Sequence, residues 1–359
     1  MYCRLNCDDN VRKNFLFFIL SRLASIALLF VYLPTIDERF FAFADLQTYS
    51  EGNNVIGRMT GPLYSELVRI TGYSVDNLHS IQWITISIIM SIIVSLPWIF
   101  LSSRLFNARG SIVYSLALGF HPYLALYSLK IDTTFFAIIP IFLVALTTFF
   151  SKERVEKASL IITTVFTFLR SSLIPLSAFQ MLIVFFQKSK RRGRVLFFSL
   201  IMLIISCLLQ LGFAVDFLSS YSTCLSVSEV NRIIASGIDM GYVTTLLSLL
   251  VVPIVHVLLI LSAREAIYVQ CTPLLPASIA SSYFFTIISS IFFLAFNGYL
   301  LYRLIDWVLR SKSQKAWQIM LPFSILLPSL YGPAHMRYLL PIIPLMLIFL
   351  PPNKSRLRF

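Results

Sequence analysis

Asp45 and Tyr49 stand four residues apart in FADLQTYS, the spacing that places two side chains on one face of a helix. A carboxylate in such a place, partly desolvated at the mouth of an apolar bundle, becomes a stronger base and can take a proton from a hydroxyl. Gly61-Pro62 then ends any such helix just before Tyr64. Asp37 and Glu38 are close rivals for the proton-accepting role, because they lie nearer the end of the first apolar run. For any single one of these acids the alternative is an ordinary solvated loop carboxylate.

Three further places carry charge where apolar residues dominate. Lys130 and Asp132 follow the run HPYLALYSL, either anchoring a helix end or facing the same hollow as Asp45. Arg170 divides two short apolar pieces in FTFLRSSLIPL; it marks a tight turn or offers its planar donors to a phosphate. In YGPAHMRYLLPIIP, Gly332-Pro333 ends one helix and His335, Arg337 and Tyr338 cluster before the last apolar run. Arg337 and the free N–H groups of that final helix could bind an anion together. The competing account is interfacial snorkelling of Arg and Tyr.

These groups are set in a chain that is 58% apolar, 14% aromatic and only 13% charged over 359 residues. The mean hydropathy is +0.83. Soluble domains carry about a quarter charged residues, so this chain has too little charge to coat a water-soluble globule. The net charge of +13 does not point to nucleic acid, because the basic residues sit in short blocks between apolar runs. That is the form of positive-inside topology signals. The five cysteines and four histidines are scattered, so neither a disulfide framework nor a zinc site is expected. No spacing calls for a metal or other cofactor, although a divalent cation could bridge the loop carboxylates.

Arg12 and Lys13 precede the first run, about 14–34, and place the N-terminus in the cytoplasm. That run is read as an uncleaved helix. Residues 35–80 form a first external loop holding six acids, Asp37, Glu38, Asp45, Glu51, Glu66 and Asp76. A connection of about 45 residues in a helical bundle is usually functional. Apolar runs then follow at 81–101, 111–129, 133–150, 158–169, 172–186 and 195–215. A second external loop, 216–241, leads to runs at 242–263, 284–302, 316–331 and 338–352, with a short Pro-broken helix expected over 266–281. Basic QKSKRRGR at 187–194 is the strongest cytoplasmic anchor. The expectation is an all-α, polytopic transmembrane bundle over 1–359 as a single integral membrane domain. It has about 12 helical segments, or about 10 if the short pieces are re-entrant, with both termini cytoplasmic.

In this order, the loop acid with its tyrosine and Pro segment, the acid after the third helix and Arg337-Tyr338-Leu339-Leu340-Pro341-Ile342-Ile343-Pro344 resemble the GT-C superfamily of membrane glycosyltransferases. The likeness is to the branch that includes protein mannosyltransferases and lipid A aminoarabinose transferases, whose Arg-Tyr-x-x-Pro-x-x-Pro element matches the terminal segment. The chain departs from that pattern in separating Asp37-Glu38 from Asp45. Residues 45–78 also resemble the first loop of O-antigen and exopolysaccharide polymerases of the Wzy type. Either resemblance implies a polyprenyl-(di)phosphate-linked donor, a hydroxyl acceptor, membrane lipids as surroundings and a bacterial inner membrane. It also implies Asp45, Asp37 or Glu38 as base, Arg337 with Arg170 or Lys130 at the phosphate, and Tyr49, Tyr64 and His335 orienting sugar hydroxyls. A flippase for lipid-linked oligosaccharide is the rival from another class, and it would place ionisable residues along the depth of the bundle.

Overall fold

The computed structural model describes residues 2–32, 63, 70, 81–129, 134–150, 153–186, 192–226, 254, 257–258, 261, 267–269, 272–274, 283–311, 315–327 and 338–351. The helices are α1 (Tyr2–Tyr32), α2 (Ile81–Leu105), α3 (Ala108–Phe120), α4 (Pro122–Tyr127), α5 (Thr134–Phe150), α6 (Glu153–Phe166), α7 (Ile174–Phe186), α8 (Arg192–Ser226), α9 (Tyr283–Arg310) and α10 (Ile343–Leu347). A 3-10 turn, Ser171–Leu173, leads into α7, and a 3-10 helix covers Ala316–Leu326. Among the described residues, Ile81–Leu105, Arg192–Leu209 and Ile291–Arg310 are long and apolar enough to cross a membrane. Shorter apolar helices cover Phe135–Phe150, Ser171–Phe186 and Ala316–Leu326. The structure therefore supports a helical protein with membrane-crossing segments.

Helices α1 and α3 pack side by side in parallel. Asn14 donates to Ser103 at 2.8 Å and Ser111 at 2.7 Å, near the start of the pairing. Seven residues farther along α1, Ser21 meets Gly119; a Cβ on that glycine would fall 1.7 Å from the Ser21 Oγ. Advancing together along both helices fixes their common direction. Small side chains let the backbones approach, and buried hydroxyl and amide groups tie them where hydrophobic burial between helices supplies little drive.

The third run does not form one helix. Pro122 has no N–H, so the Leu118 carbonyl four residues earlier loses its helical donor, and α3 ends at Phe120. Arg22 Nη2 supplies the missing donor at 2.7 Å. The last run differs as well. Pro341 and Pro344 interrupt it, leaving turns and the short α10. It forms the centre of the protein: Leu339, Leu340, Ile342, Leu345, Met346 and Leu347 are each 0% exposed. Helices α3, α5 and α9 pack around it, and the Tyr114 hydroxyl donates to the Pro344 carbonyl at 3.0 Å.

At one end of the bundle, Trp307 packs between Phe149 and Phe349, at 5.9 and 5.5 Å. There Lys315, ahead of the 3-10 helix, pairs with buried Glu156 at the start of α6. Arg154, Lys157 and Arg310 lie on the same end, so this end is the basic one. Helix α7 returns along α6, held by Gln180 donating to Ser159 at 2.8 Å and by Thr164 and Ser177 hydroxyls 2.7 Å apart. Arg170 and Tyr338 occupy the opposite end.

Over 266–281, the described residues do not show the expected helix. They form a two-stranded antiparallel hairpin, β1 (Ile267–Val269) and β2 (Thr272–Leu274), with Val269 opposite Thr272. Tyr268, Val269 and Thr272 are strand formers, and Pro273 suits an edge strand better than a helix interior.

Candidate functional site

Helix α6 closes in a tightening turn. Thr167 N–H bonds to Thr163 and Thr164 carbonyls, and the N–H groups of Leu169 and Arg170 both bond to the Phe166 carbonyl, at 3.0 and 2.9 Å. Arg170 then adopts extended backbone, φ −148° and ψ 111°, which turns the chain toward the 3-10 segment and α7. The turn buries the arginine side chain to 3% exposure. Its Nε donates to the Ser172 hydroxyl at 2.8 Å. Its guanidinium carbon lies 5.4 Å from the centroid of the Tyr338 ring.

Both groups are held by rigid neighbours. Tyr338 is the half-buried first residue of the segment whose next residues fill the protein centre. Arg170 stands between two packed helices. Stacking on an aromatic face offsets part of the cost of burying a cation and fixes the guanidinium plane. A plane fixed in this way presents its N–H groups in one direction, which suits recognition of phosphate oxygens.

The first large loop reaches the same turn. The N–H of Leu63 donates to the Phe168 carbonyl at 3.0 Å. Leu63 lies within Gly61-Pro62-Leu63-Tyr64, and Phe168 is two residues before Arg170. Three stretches far apart in sequence, around 63, 168–172 and 338, therefore meet at one end of the bundle.

Of the residues singled out in the sequence, the structure brings Arg170 and Tyr338 together. Asp37, Glu38, Asp45, Tyr49, Tyr64, Lys130, Asp132, His335 and Arg337 lie outside the described residues. Arg337 directly precedes Tyr338 in the chain, and Tyr64 directly follows Leu63.

A second polar centre was not singled out. Arg22 is 0% exposed; beyond its bond to Leu118, its Nε and Nη1 have no hydrogen-bond partner among the described residues. The guanidinium also lies 5.4 Å from the Phe18 ring centroid. One helical turn past Leu118 stands His121, also buried. Its Nδ1 caps α4 by accepting from Leu124 N–H at 3.5 Å, a loose contact, while its Nε2 has no partner among the described residues. The ring sits among Tyr123, Phe293 and Phe296. The signal was legible: a lone arginine inside an apolar run and a His-Pro inside another.

At the basic end, a third polar place is a small open cleft lined by Thr147, Glu156, Ser159, Gln180 and Gln318 among others. It lies about 20 Å along α6 from Arg170, at 1.5 Å rise per residue, and so is separate from the Arg170 centre.

No family model, curated protein or solved structure matches the chain.

Proposed function

We propose that the chain is a multi-pass glycosyltransferase of the GT-C type that works at the outer face of a bacterial inner membrane. It transfers a sugar or glycan from a polyprenyl-(di)phosphate carrier to an acceptor hydroxyl, in the synthesis of surface polysaccharide or lipopolysaccharide. The observation that carries this reading is the contact of buried Arg170 with Tyr338, beside the Leu63 bond to Phe168. It gathers parts of three separate features of the resemblance, the loop Pro segment, the Arg170 turn and the Arg-Tyr element, at the end opposite the basic cluster. Under positive-inside topology, that end is extracytoplasmic.

In the proposed reaction, the acceptor oxygen attacks the anomeric carbon while the bond from that carbon to the carrier phosphate breaks. The departing oxygen keeps the electron pair. Arg337 and Arg170 (or Lys130) stabilise the charge that develops on the phosphate. Asp45, or Asp37 or Glu38, receives the acceptor proton, help worth roughly 10²–10⁴ in rate. A single displacement inverts the anomeric configuration. A polymerase joining lipid-linked repeat units would use the same groups, with a second lipid-linked glycan as acceptor.

The test is glycan transfer by the purified chain in nanodiscs, with the Asp45→Asn and Arg337→Ala variants alongside. Both variants are expected to lose most of the transfer rate; near-normal rates in both would remove the mechanism. The glycolipids of a deletion strain separate the alternatives. Single repeat units accumulating outside mean a polymerase, and a missing side-branch sugar means a dedicated transferase.

One observation favours a second reading, the flippase. Arg22 places a buried charge part-way along the bundle, as a translocation pathway would. Lipid-linked units trapped on the cytoplasmic side in the deletion strain would select it.

A further inference from the structure

We propose that Arg22 and His121 bind the phosphate of an anionic lipid inside the bundle, where α1 meets the break between α3 and α4. This goes beyond the transferase reading; it rests on the chain lying in a membrane and not on the transfer chemistry.

The argument begins with charge. Arg22 is entirely buried, and one of its nitrogens is used by the Leu118 carbonyl that Pro122 leaves unpaired. The other two nitrogens, Nε and Nη1, have no acceptor among the described residues. A carbonyl does not neutralise a guanidinium, and an uncompensated cation in an apolar interior is costly. No carboxylate among the described residues bonds to its Nε or Nη1. The arrangement is therefore complete only with an anion.

Chemistry then narrows the anion. Three residues beyond Leu118, at the break, stands His121, whose buried Nε2 also lacks a partner among the described residues. Unsatisfied nitrogens on a guanidinium and an imidazole suit an oxyanion with several acceptor oxygens, and phosphate offers more of them than a carboxylate.

Access narrows the source. The outward flank of α1 is apolar, with Leu16, Leu20, Leu23 and Leu28 at 57, 55, 46 and 59% exposure. A phosphate reaching Arg22 past this flank travels with a hydrocarbon chain. Free phosphate would have to leave water without one.

The experiment uses the full chain with ¹⁵N-labelled histidine in phosphatidylcholine nanodiscs. Only four histidines are present, and the His121→Phe variant assigns the resonance. One arm adds polyprenyl phosphate to the bilayer; the other adds inorganic phosphate to the buffer. The lipid arm is expected to shift the His121 ring resonance saturably, and the aqueous arm to leave it in place. Arg22→Gln, whose amide can still donate to Leu118, should weaken the lipid effect by about 10- to 100-fold, the range of a charged hydrogen bond. A His121 resonance that polyprenyl phosphate does not move overturns the proposal, even if the Arg22 variant does not fold. Unchanged affinity in a folded Arg22→Gln protein also overturns it. An equal shift by inorganic phosphate would sink delivery by lipid. None of these outcomes bears on glycan transfer, which is read separately from the Asp45 and Arg337 variants.

Discussion

The Arg170 guanidinium carbon lies 5.4 Å from the centroid of the Tyr338 ring, joining a turn in the first half of the chain to the last apolar segment. The contact depends on the flat face of the guanidinium, so charge alone should not replace it. Arg170→Lys keeps the cation but loses the plane and its directed donors. We expect transfer to fall by about 10- to 100-fold, as for a lost charge-assisted hydrogen bond. Tyr338→Leu should lower the same rate, and Tyr338→Trp should retain most of it, because indole binds cations at least as well. The check is initial transfer rate at saturating donor. Equal rates in the Lys and wild-type proteins would remove the stacking argument.

Gly119 is a point of close approach between α1 and α3. An added Cβ would lie 1.7 Å from the Ser21 Oγ and 2.9 Å from the Phe18 carbonyl oxygen, and the second of these is backbone. Gly119→Ala should therefore destabilise the protein by about 1–3 kcal/mol, the usual cost of overpacking. Ser21→Gly in the same chain should recover only part of the loss, since the Phe18 carbonyl remains. Thermal unfolding in detergent measures both; a neutral Gly119→Ala would show that the two helices are less tightly apposed than described.

Asn14 bridges two other segments, donating to Ser103 and Ser111 from a position that is 1% exposed. Asn14→Leu removes both bonds and leaves the Ser103 and Ser111 hydroxyls without the amide donor they accept from. Side-chain hydrogen bonds between membrane helices are worth about 0.6–2 kcal/mol each. The expected result is a lower unfolding temperature with little effect on transfer rate per folded molecule.

The Glu156–Lys315 pair should behave asymmetrically. The Glu156 side chain is 7% exposed and the Lys315 side chain 32%. Lys315→Ala leaves a buried carboxylate without its cation and should cost about 1–3 kcal/mol, less than for a pair buried on both sides. Glu156→Gln leaves the lysine able to reach water and should cost less. The double variant Glu156→Gln/Lys315→Met is expected to be more stable than Lys315→Ala alone, read again by thermal unfolding.

The sequence left some of this organisation open for identifiable reasons. Arg170 was legible as a candidate because one arginine between two apolar pieces is costly wherever it sits. That its partner would be Tyr338 was not, because cation–π pairing leaves no spacing pattern when the two residues lie in distant segments. Arg22 showed the reverse failure: the residue was visible inside the first apolar run, but its role depended on a carbonyl freed by Pro122 in another helix. The last segment was read as a span because its hydropathy is high. Its burial at the centre, not at the lipid surface, follows from neighbours that hydropathy does not see. The carboxylates Asp37, Glu38 and Asp45 and the cation Arg337 lie outside the described residues, so their part in the site stands as the proposal above.

By itself the sequence determined the broad class of the protein. Composition demanded a largely helical protein with segments able to cross a membrane, and nearly every described helix falls on an apolar run bounded by charge. Hydropathy and backbone donors are local, so each residue contributes to them wherever the chain goes. The tertiary structure alone decided which polar groups meet: Arg170 with Tyr338, Arg22 with the Leu118 carbonyl beside His121, Asn14 with two serines. Those meetings depend on packing between segments far apart in the chain, where a close approach at a glycine or a helix break at a proline selects the partner.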